Sequence, residues 1–243
     1  MCLIAIDGTW SYKFNNRFLG KDQSGFPIGV LNAGMSNTYR FLRGCGYPKS
    51  RKFYFGGPQY GMSGYDVTSI TQSVFDLIES LGCKEIALVG WSRGGVVASE
   101  VAEILHYGKR REMLQTRRGT RLKGFRDFKN LPTVKFVGLF DPVSMTIATP
   151  LARSESDATV AWGEEIPSKV KYVAQVIAGK RDGPIPGIPL PFYPASPNVQ
   201  AQVYEECTMV TARHADVGGL SDSPHAQVAY HFIRTHATKA GVP

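Results

Sequence analysis

The sequence predicts an α/β fold, a mainly parallel central sheet with helices on both faces. Three observations predict it. Short apolar runs alternate with segments of helical periodicity, the signature of repeated βαβ units. The run Ile86 to Val89 passes through a glycine-flanked turn straight into a helical pattern. Two further apolar runs end in turns that carry Asp141 and His214, and loops at strand ends are where catalytic groups concentrate.

Each element follows in order. Leu3 to Ile6 reads as a short strand that ends in Asp7-Gly8-Thr9-Trp10, and Lys52 to Phe55 reads as a second. Val67, Ile70, Val74, Leu77, Ile78 and Leu81 recur at helical spacing, with Asp66 as N-cap and Gly82 as the stop. Ile86 to Val89 is the next strand, and Val96, Val97, Val101, Ile104 and Leu105 place a helix directly after Ser92. Val134 to Phe140 and Val170 to Ala178 are strands, Val203 to Val210 is a weaker one, and Ser223-Pro224 opens a last helix that runs to Lys239. With 243 residues and 43% hydrophobic content the chain is expected to form one domain.

No apolar run is long enough to span a bilayer, and the N-terminus lacks the basic-then-apolar order of a signal peptide. A cytoplasmic chain is therefore expected, with export by a signal-independent route compatible with it. Cys2, Cys45, Cys83 and Cys207 are scattered without Cys-x-x-Cys spacing, so they are expected as ordinary thiols, with no metal site and no cofactor.

Two segments interrupt the pattern. Residues 109 to 129 hold nine basic residues against the acids Glu112 and Asp127, nearly the whole formal charge of +8. The bland reading of this insertion, bounded at about 108–130, is a solvated loop. The functional reading is a patch for an anionic membrane surface or an acidic partner, with nucleic acid less favoured. Residues 183 to 198 carry six prolines interleaved with apolar side chains, which excludes a regular helix or interior strand. A lid bringing Phe192 and Tyr193 to a substrate and an extended surface strap are both open readings.

The chemistry centres on Gly90-Trp91-Ser92-Arg93-Gly94. A nucleophile on a sharp strand-to-helix turn needs small residues two before and two after it, because strand and helix approach there. The helix that starts at Ser92 also aims its positive end at the reacting centre. Serine is a weak nucleophile and needs a histidine to accept its proton. His106 lies too far along the nucleophile helix, and His225, His231 and His236 fall in the last helix. His214 opens the turn-rich segment His214-Ala215-Asp216-Val217-Gly218-Gly219, so it is the expected base, with Asp216 shaping the loop. For the acid, Asp141 and Asp182 each follow a strand, and position alone does not choose between them. The N–H of Arg93 and those of Gly8 and Thr9 are the expected oxyanion donors. Trp10 and Trp91, beside these groups, are expected substrate contacts.

Asp7-Gly8-Thr9-Trp10, Gly90-Trp91-Ser92-Arg93-Gly94-Gly95, Phe140-Asp141-Pro142-Val143 and His214 to Gly219, in this order, resemble one bacterial hydrolase group. It comprises the Gly-x-Ser-x-Gly phospholipase effectors of type VI secretion and their α/β-hydrolase relatives. The resemblance implies the α/β-hydrolase fold, an aspartate at Asp141, and a triad of Ser92, Asp141 and His214 acting on a small-molecule or lipid ester. The chain departs from the group's pattern at Pro142, where Thr is usual, and at Gly95, where Ala is usual. The other expectations on the same fold are thioester or amide cleavage, and a non-catalytic binding module.

Overall fold

In the computed structural model, which describes residues 1–8, 18–21, 27–29, 36–57, 65–116, 119–128, 130–144, 165–180, 193–194, 198–221 and 223–243, the apolar runs become strands and the periodic segments helices. In chain order the strands are β1 (Cys2–Ile6), β2 (Phe18–Lys21), β3 (Pro27–Gly29), β4 (Lys52–Phe55), β5 (Glu85–Trp91), β6 (Lys109–Thr116) and β7 (Gly119–Asp127). They continue as β8 (Thr133–Phe140), β9 (Val143–Ser144), β10 (Glu165–Ile166), β11 (Tyr172–Lys180), β12 (Tyr193–Pro194), β13 (Asn198–Val199) and β14 (Val203–Arg213). The helices are α1 (Asn37–Gly44), α2 (Tyr65–Leu81), α3 (Arg93–Tyr107), α4 (His214–Val217) and α5 (Pro224–Lys239).

Six strands form one sheet in the order β14-β11-β8-β5-β1-β4, and every pairing in it is parallel. Such a sheet is covered on both faces, which is why its central strands read as unbroken apolar runs rather than alternating ones. Ile4, Ile6 and Leu88 point to the face covered by α2 and α3, where Val74, Phe75, Val97 and Val101 pack. Leu3, Ala5, Ala87 and Val89 alternate to the other face, against Phe41 of α1 and Ile233 and Ala237 of α5. The chain leaves β1 for β4 on one side, then returns past β1 to β5 on the other. The order therefore reverses between β1 and β5, and the crevice beyond their carboxyl ends is where open α/β sheets bind ligands.

Helix ends follow the sequence signals with one correction. Gly82 and Gly108 stop α2 and α3 with φ of 57° and 72°, conformations that glycine adopts without penalty. Ser223 accepts a hydrogen bond from the N–H of His225 and caps α5. Helix α2 begins at Tyr65, so Asp66 falls inside its first turn and is not its cap.

The basic insertion is not a loop. It is an antiparallel hairpin, β6 paired with β7 from Lys109↔Asp127 to Thr116↔Gly119, with a bulge between Glu112 and Met113. Its base is fixed to α2: Arg126 donates to Glu79 at 2.5 Å, and Phe128 packs edge-on against Phe75 with ring centroids 5.1 Å apart. The hairpin follows the end of α3, so its base lies about 22 Å from Ser92, the rise of a 15-residue helix.

The cysteines also differ from expectation. Cys2 and Cys83 form a disulfide, with Cα atoms 6.0 Å apart, that joins the start of β1 to the segment entering β5. Cys45 and Cys207 are free thiols. Disulfides persist in oxidising compartments and are rare in reducing ones. No described helix is long and apolar enough to cross a membrane.

Candidate active site

Strand β5 ends at Trp91 and α3 begins at Arg93, so Ser92 alone makes the reversal, with φ 55° and ψ −130°. A non-glycine residue held there is strained by about 1–3 kcal/mol and persists only when its surroundings fix it. They do. The Ser92 N–H donates to the Phe140 carbonyl at 3.1 Å, and its own carbonyl accepts from Gly95 at 3.0 Å and Val143 at 3.2 Å. A Cβ on Gly90 would stand 2.4 Å from the Gly94 carbonyl oxygen, and one on Gly94 would stand 2.3 Å from that of Ile6. Strand and helix approach too closely for any side chain at either position.

Asp141 lies just beyond β8, fully buried, and also has a positive φ of 41°. Its N–H donates to the Val176 carbonyl at 2.7 Å, and its Oδ1 accepts from Ala178 N–H at 3.0 Å. Those contacts with the end of β11 aim the carboxylate at α4, where His214 donates through Nδ1 to Asp141 Oδ2 at 2.6 Å. Asp182 lies outside the described residues. The His214 ring stacks on the Trp91 indole, with centroids 5.3 Å apart and planes at 27°. The structure thus joins Asp141 to His214 directly, and Ser92 to both through its immediate neighbours Phe140, Val143 and Trp91.

The expected substrate and oxyanion residues fare differently. Trp91 is 3% exposed and wedged between two glycines, since a Cβ on Gly8 would meet its ring at 2.5 Å and one on Gly218 at 2.2 Å. It is the support on which His214 rests, not an open substrate wall. The N–H of Gly8 donates to Asp7 Oδ1 at 2.9 Å, so it is already committed and does not serve as an oxyanion donor. Thr9, Trp10 and Phe192 lie outside the described residues. Arg93 takes the first position of α3, where N–H groups have no intrahelical acceptor, and its side chain is buried. Tyr193 pairs with Ser144 and Pro194 with Val143, which ties one end of the proline-rich segment to the strand just beyond Asp141.

Three residues that the motifs did not single out, Ser36, Tyr54 and Asn37, join Asp7 of the first motif in holding the site together. The Asp7 carboxylate, buried at the end of β1, accepts from Ser36 Oγ at 2.6 Å and Tyr54 Oη at 2.5 Å as well as from Gly8. Burial raises its pKa above the usual carboxylate value, while those three hydrogen bonds work in the opposite direction. Asn37, fully buried at the start of α1, donates through Nδ2 to the Val217 and Ala226 carbonyls at 2.9 and 2.8 Å. Its backbone N–H donates to Gly218 at 2.8 Å, so α1 grips the loop that follows His214. Ser36 accepts from Tyr39 N–H as the cap of α1, a helix that the apolar periodicity did not mark, and nothing in the sequence marks Asn37. Asp216 shapes the loop as expected, accepting from Arg213 N–H at 2.9 Å and Ser221 Oγ at 2.6 Å.

The two departures from the family pattern touch each other. A Cβ on Gly95 would stand 2.9 Å from the Cβ of Pro142, so glycine there leaves room for the proline that follows Asp141.

No protein-family model matches the chain, and no curated protein does. Among solved structures it matches the Tle1 effector bound to the VgrG spike from the type 6 secretion system, with a TM-score of 0.51 and 19% identity. That match covers 93% of this chain and 52% of the other, so the chain spans about half the length of that structure. It also matches the lin2722 product of Listeria innocua (TM-score 0.44, 16% identity, 96% and 93% of the two chains). A third match is the RedJ thioesterase of prodiginine biosynthesis in Streptomyces coelicolor (0.45, 12%, 96% and 85%). At such identities a likeness speaks to fold. Together with the all-parallel sheet, its reversal between β1 and β5, and the Ser92 turn, the Tle1 likeness shows that this chain has the α/β-hydrolase fold.

Proposed function

We propose that the chain is a serine hydrolase that cleaves carboxylic esters through an acyl-enzyme on Ser92. The observation that carries this reading is the 2.6 Å bond between Asp141 and His214 at the same sheet edge as the strained Ser92 turn. Asp141 engages Nδ1 of His214, which leaves Nε2 as the ring nitrogen for proton transfer. Ser92 Oγ attacks the acyl carbon as its proton passes to Nε2, and the new oxyanion is stabilised by the N–H of Arg93 and by the loop after Gly8. The tetrahedral intermediate expels the alcohol, which takes the proton from Nε2. Water, deprotonated by Nε2, then attacks the acyl-enzyme and releases the acid and free Ser92.

The substrate class is a lipid acyl ester. Two features support it: the motif resemblance to phospholipase effectors, and the apolar proline-rich segment anchored through Tyr193 and Pro194 next to Asp141. The basic hairpin offers positive charge for a peripheral contact. Its base is at the far end of α3 from Ser92, and a membrane or protein surface of negative charge is the partner its charge fits. The fold's association with a secretion spike in Tle1 and the disulfide both favour an exported chain over a cytoplasmic one. The test is hydrolysis of phosphatidylglycerol vesicles alongside a panel of ester, thioester and amide acyl donors, with Ser92→Ala as control. Ester and lipid turnover that disappears in Ser92→Ala is expected. Turnover confined to thioesters or amides refutes the ester assignment, and turnover that survives in Ser92→Ala refutes the site.

A further inference from the structure

We infer that Trp91 is a positioning residue for the reaction proposed above: its indole face sets the plane of the His214 ring and stabilises the positive charge that the ring carries in each half of the reaction. The inference rests on the Ser92 hydrolase reading and gives a part in it to a residue outside the triad.

The hydrogen bond to Asp141 fixes His214 at Nδ1 but does not set the tilt of the imidazole plane. The Trp91 indole supplies that second constraint, a flat surface whose centroid lies 5.3 Å from that of the imidazole, with the two planes at 27°. Trp91 is the last residue of β5 and Ser92 follows it directly, so the nucleophile and the surface behind the base share one stretch of backbone. At 3% exposure the indole acts through His214 and not on substrate.

Two glycines seat the ring. Gly218 has φ −68° and ψ −14°, a conformation open to any residue, and Gly8 is not among the glycines of positive φ. Backbone conformation therefore calls for glycine at neither place. Trp91 does: a Cβ on Gly8 would stand 2.5 Å from its Cε3, and one on Gly218 would stand 2.2 Å from its Cε2. The indole is thus held between the residue after β1 and the loop that follows His214. That loop is itself fixed, since the Gly218 N–H donates to the His214 carbonyl at 3.0 Å and the Gly218 carbonyl accepts from Asn37 N–H at 2.8 Å.

His214 becomes an imidazolium twice, when Nε2 takes the proton of Ser92 Oγ and when it takes a proton from the attacking water. It gives the first to the departing alcohol and the second back to Ser92. A cation within about 6 Å of an aromatic centroid is attracted by the ring's quadrupole, most by tryptophan and more where water is excluded. The Trp91 Nε1–H makes no hydrogen bond among the described residues, so replacing the ring by phenylalanine removes none and changes only the face that His214 rests on.

The test uses Trp91→Phe, Trp91→Leu, Gly218→Ala and the double variant of Trp91→Leu with Gly218→Ala in the full chain, each checked for folding by urea unfolding. For each, kcat and KM on p-nitrophenyl butyrate are measured from about pH 5 to about pH 9, together with the rate of Ser92 modification by a fluorophosphonate. We expect kcat to fall about 3-fold in Trp91→Phe and about 10- to 30-fold in Trp91→Leu, with KM nearly unchanged. The acid limb of kcat/KM moves to lower pH, by about 0.5 to 1 in Trp91→Leu, because the ring holds a proton less firmly without the indole. A ring that only filled space would act the other way, since its loss admits water to His214, favours the charged form and moves the limb up. Asp141, Arg93, Lys180, Arg213, Asp216 and His225 are the charged or titratable side chains on the elements around the ring, and every variant keeps them, so the limb reports the indole. Gly218→Ala should lower kcat about 10-fold in wild type and less than about twofold in Trp91→Leu, where the clash is gone. Should Trp91→Leu not fold, the acid limb of Trp91→Phe carries the test. Folded Trp91 variants whose kcat matches wild type, or whose acid limb stays in place or moves up, overturn this inference alone, as does a Gly218→Ala defect undiminished in Trp91→Leu. A wild-type protein that the fluorophosphonate does not modify overturns the hydrolase reading and this inference with it.

Discussion

Removing the Cys2–Cys83 disulfide has a calculable effect. The bond closes a loop across 81 positions of sequence, and both sulfurs are buried at the base of β1 and β5. In the chain-entropy model a loop of that length removes about 15 cal/mol/K from the unfolded ensemble, or about 4.5 kcal/mol at 25 °C. The unfolding entropy of a chain of 243 residues is about 0.5 kcal/mol/K, so Cys2→Ser should lower the thermal midpoint by about 9 °C. The assay is scanning calorimetry of wild type, Cys2→Ser and Cys83→Ser, paired with thiol titration in denaturant without reductant. Wild type should titrate two thiols, Cys45 and Cys207. Four thiols in fresh oxidised protein, or a midpoint indifferent to both substitutions, would refute the reasoning.

Three further outcomes are expected. Gly94→Ala should lower stability by about 1–3 kcal/mol and esterase kcat by more than about 100-fold, because its Cβ would meet the Ile6 and Asp7 carbonyl oxygens at 2.3 and 2.4 Å; urea unfolding and steady-state kinetics measure both. Replacing Arg110, Arg121 and Lys123 by Ser should leave kcat/KM on a soluble ester within about twofold, since the hairpin base is about a full α3 length from Ser92. Burial, and then the charge of Lys239, hold His236 below the usual histidine pKa against the opposing pull of Glu205, and its Nδ1 is bonded to the Tyr172 hydroxyl at 2.7 Å. The unfolded chain then binds that proton more readily, so the stability due to neutral His236 is present above about pH 6.5 and is lost as pH falls through its folded-state pKa. Thermal midpoints between about pH 7.5 and 5 should fall in wild type and fall less in His236→Gln.

What was legible in the sequence follows from how strongly each feature is constrained by its own residues. The central strands could be read because a sheet covered on both faces makes every position apolar, as in β1 and β5. The Ser92 turn could be read because close backbone approach admits only glycine at 90 and 94. Asp141 and Asp182 looked alike because each follows a strand; the choice depends on where β11 and α4 bring their backbone, which no local pattern encodes. The hairpin was hidden because dense charge masks strand alternation, although Gly119 marks its turn. The disulfide joins residues with no characteristic spacing. Asn37 escaped notice because its partners, Val217 and Ala226, lie some 180 positions away and accept through backbone atoms that carry no sequence signature.

The central claim is tested most directly by treating the folded protein with a fluorophosphonate and mapping the adduct by peptide mass spectrometry. A single adduct on Ser92, formed rapidly in wild type and lost or slowed by orders of magnitude in His214→Ala and Asp141→Asn, is the predicted result. An adduct on another residue, or modification of Ser92 at a rate indifferent to His214 and Asp141, would contradict it.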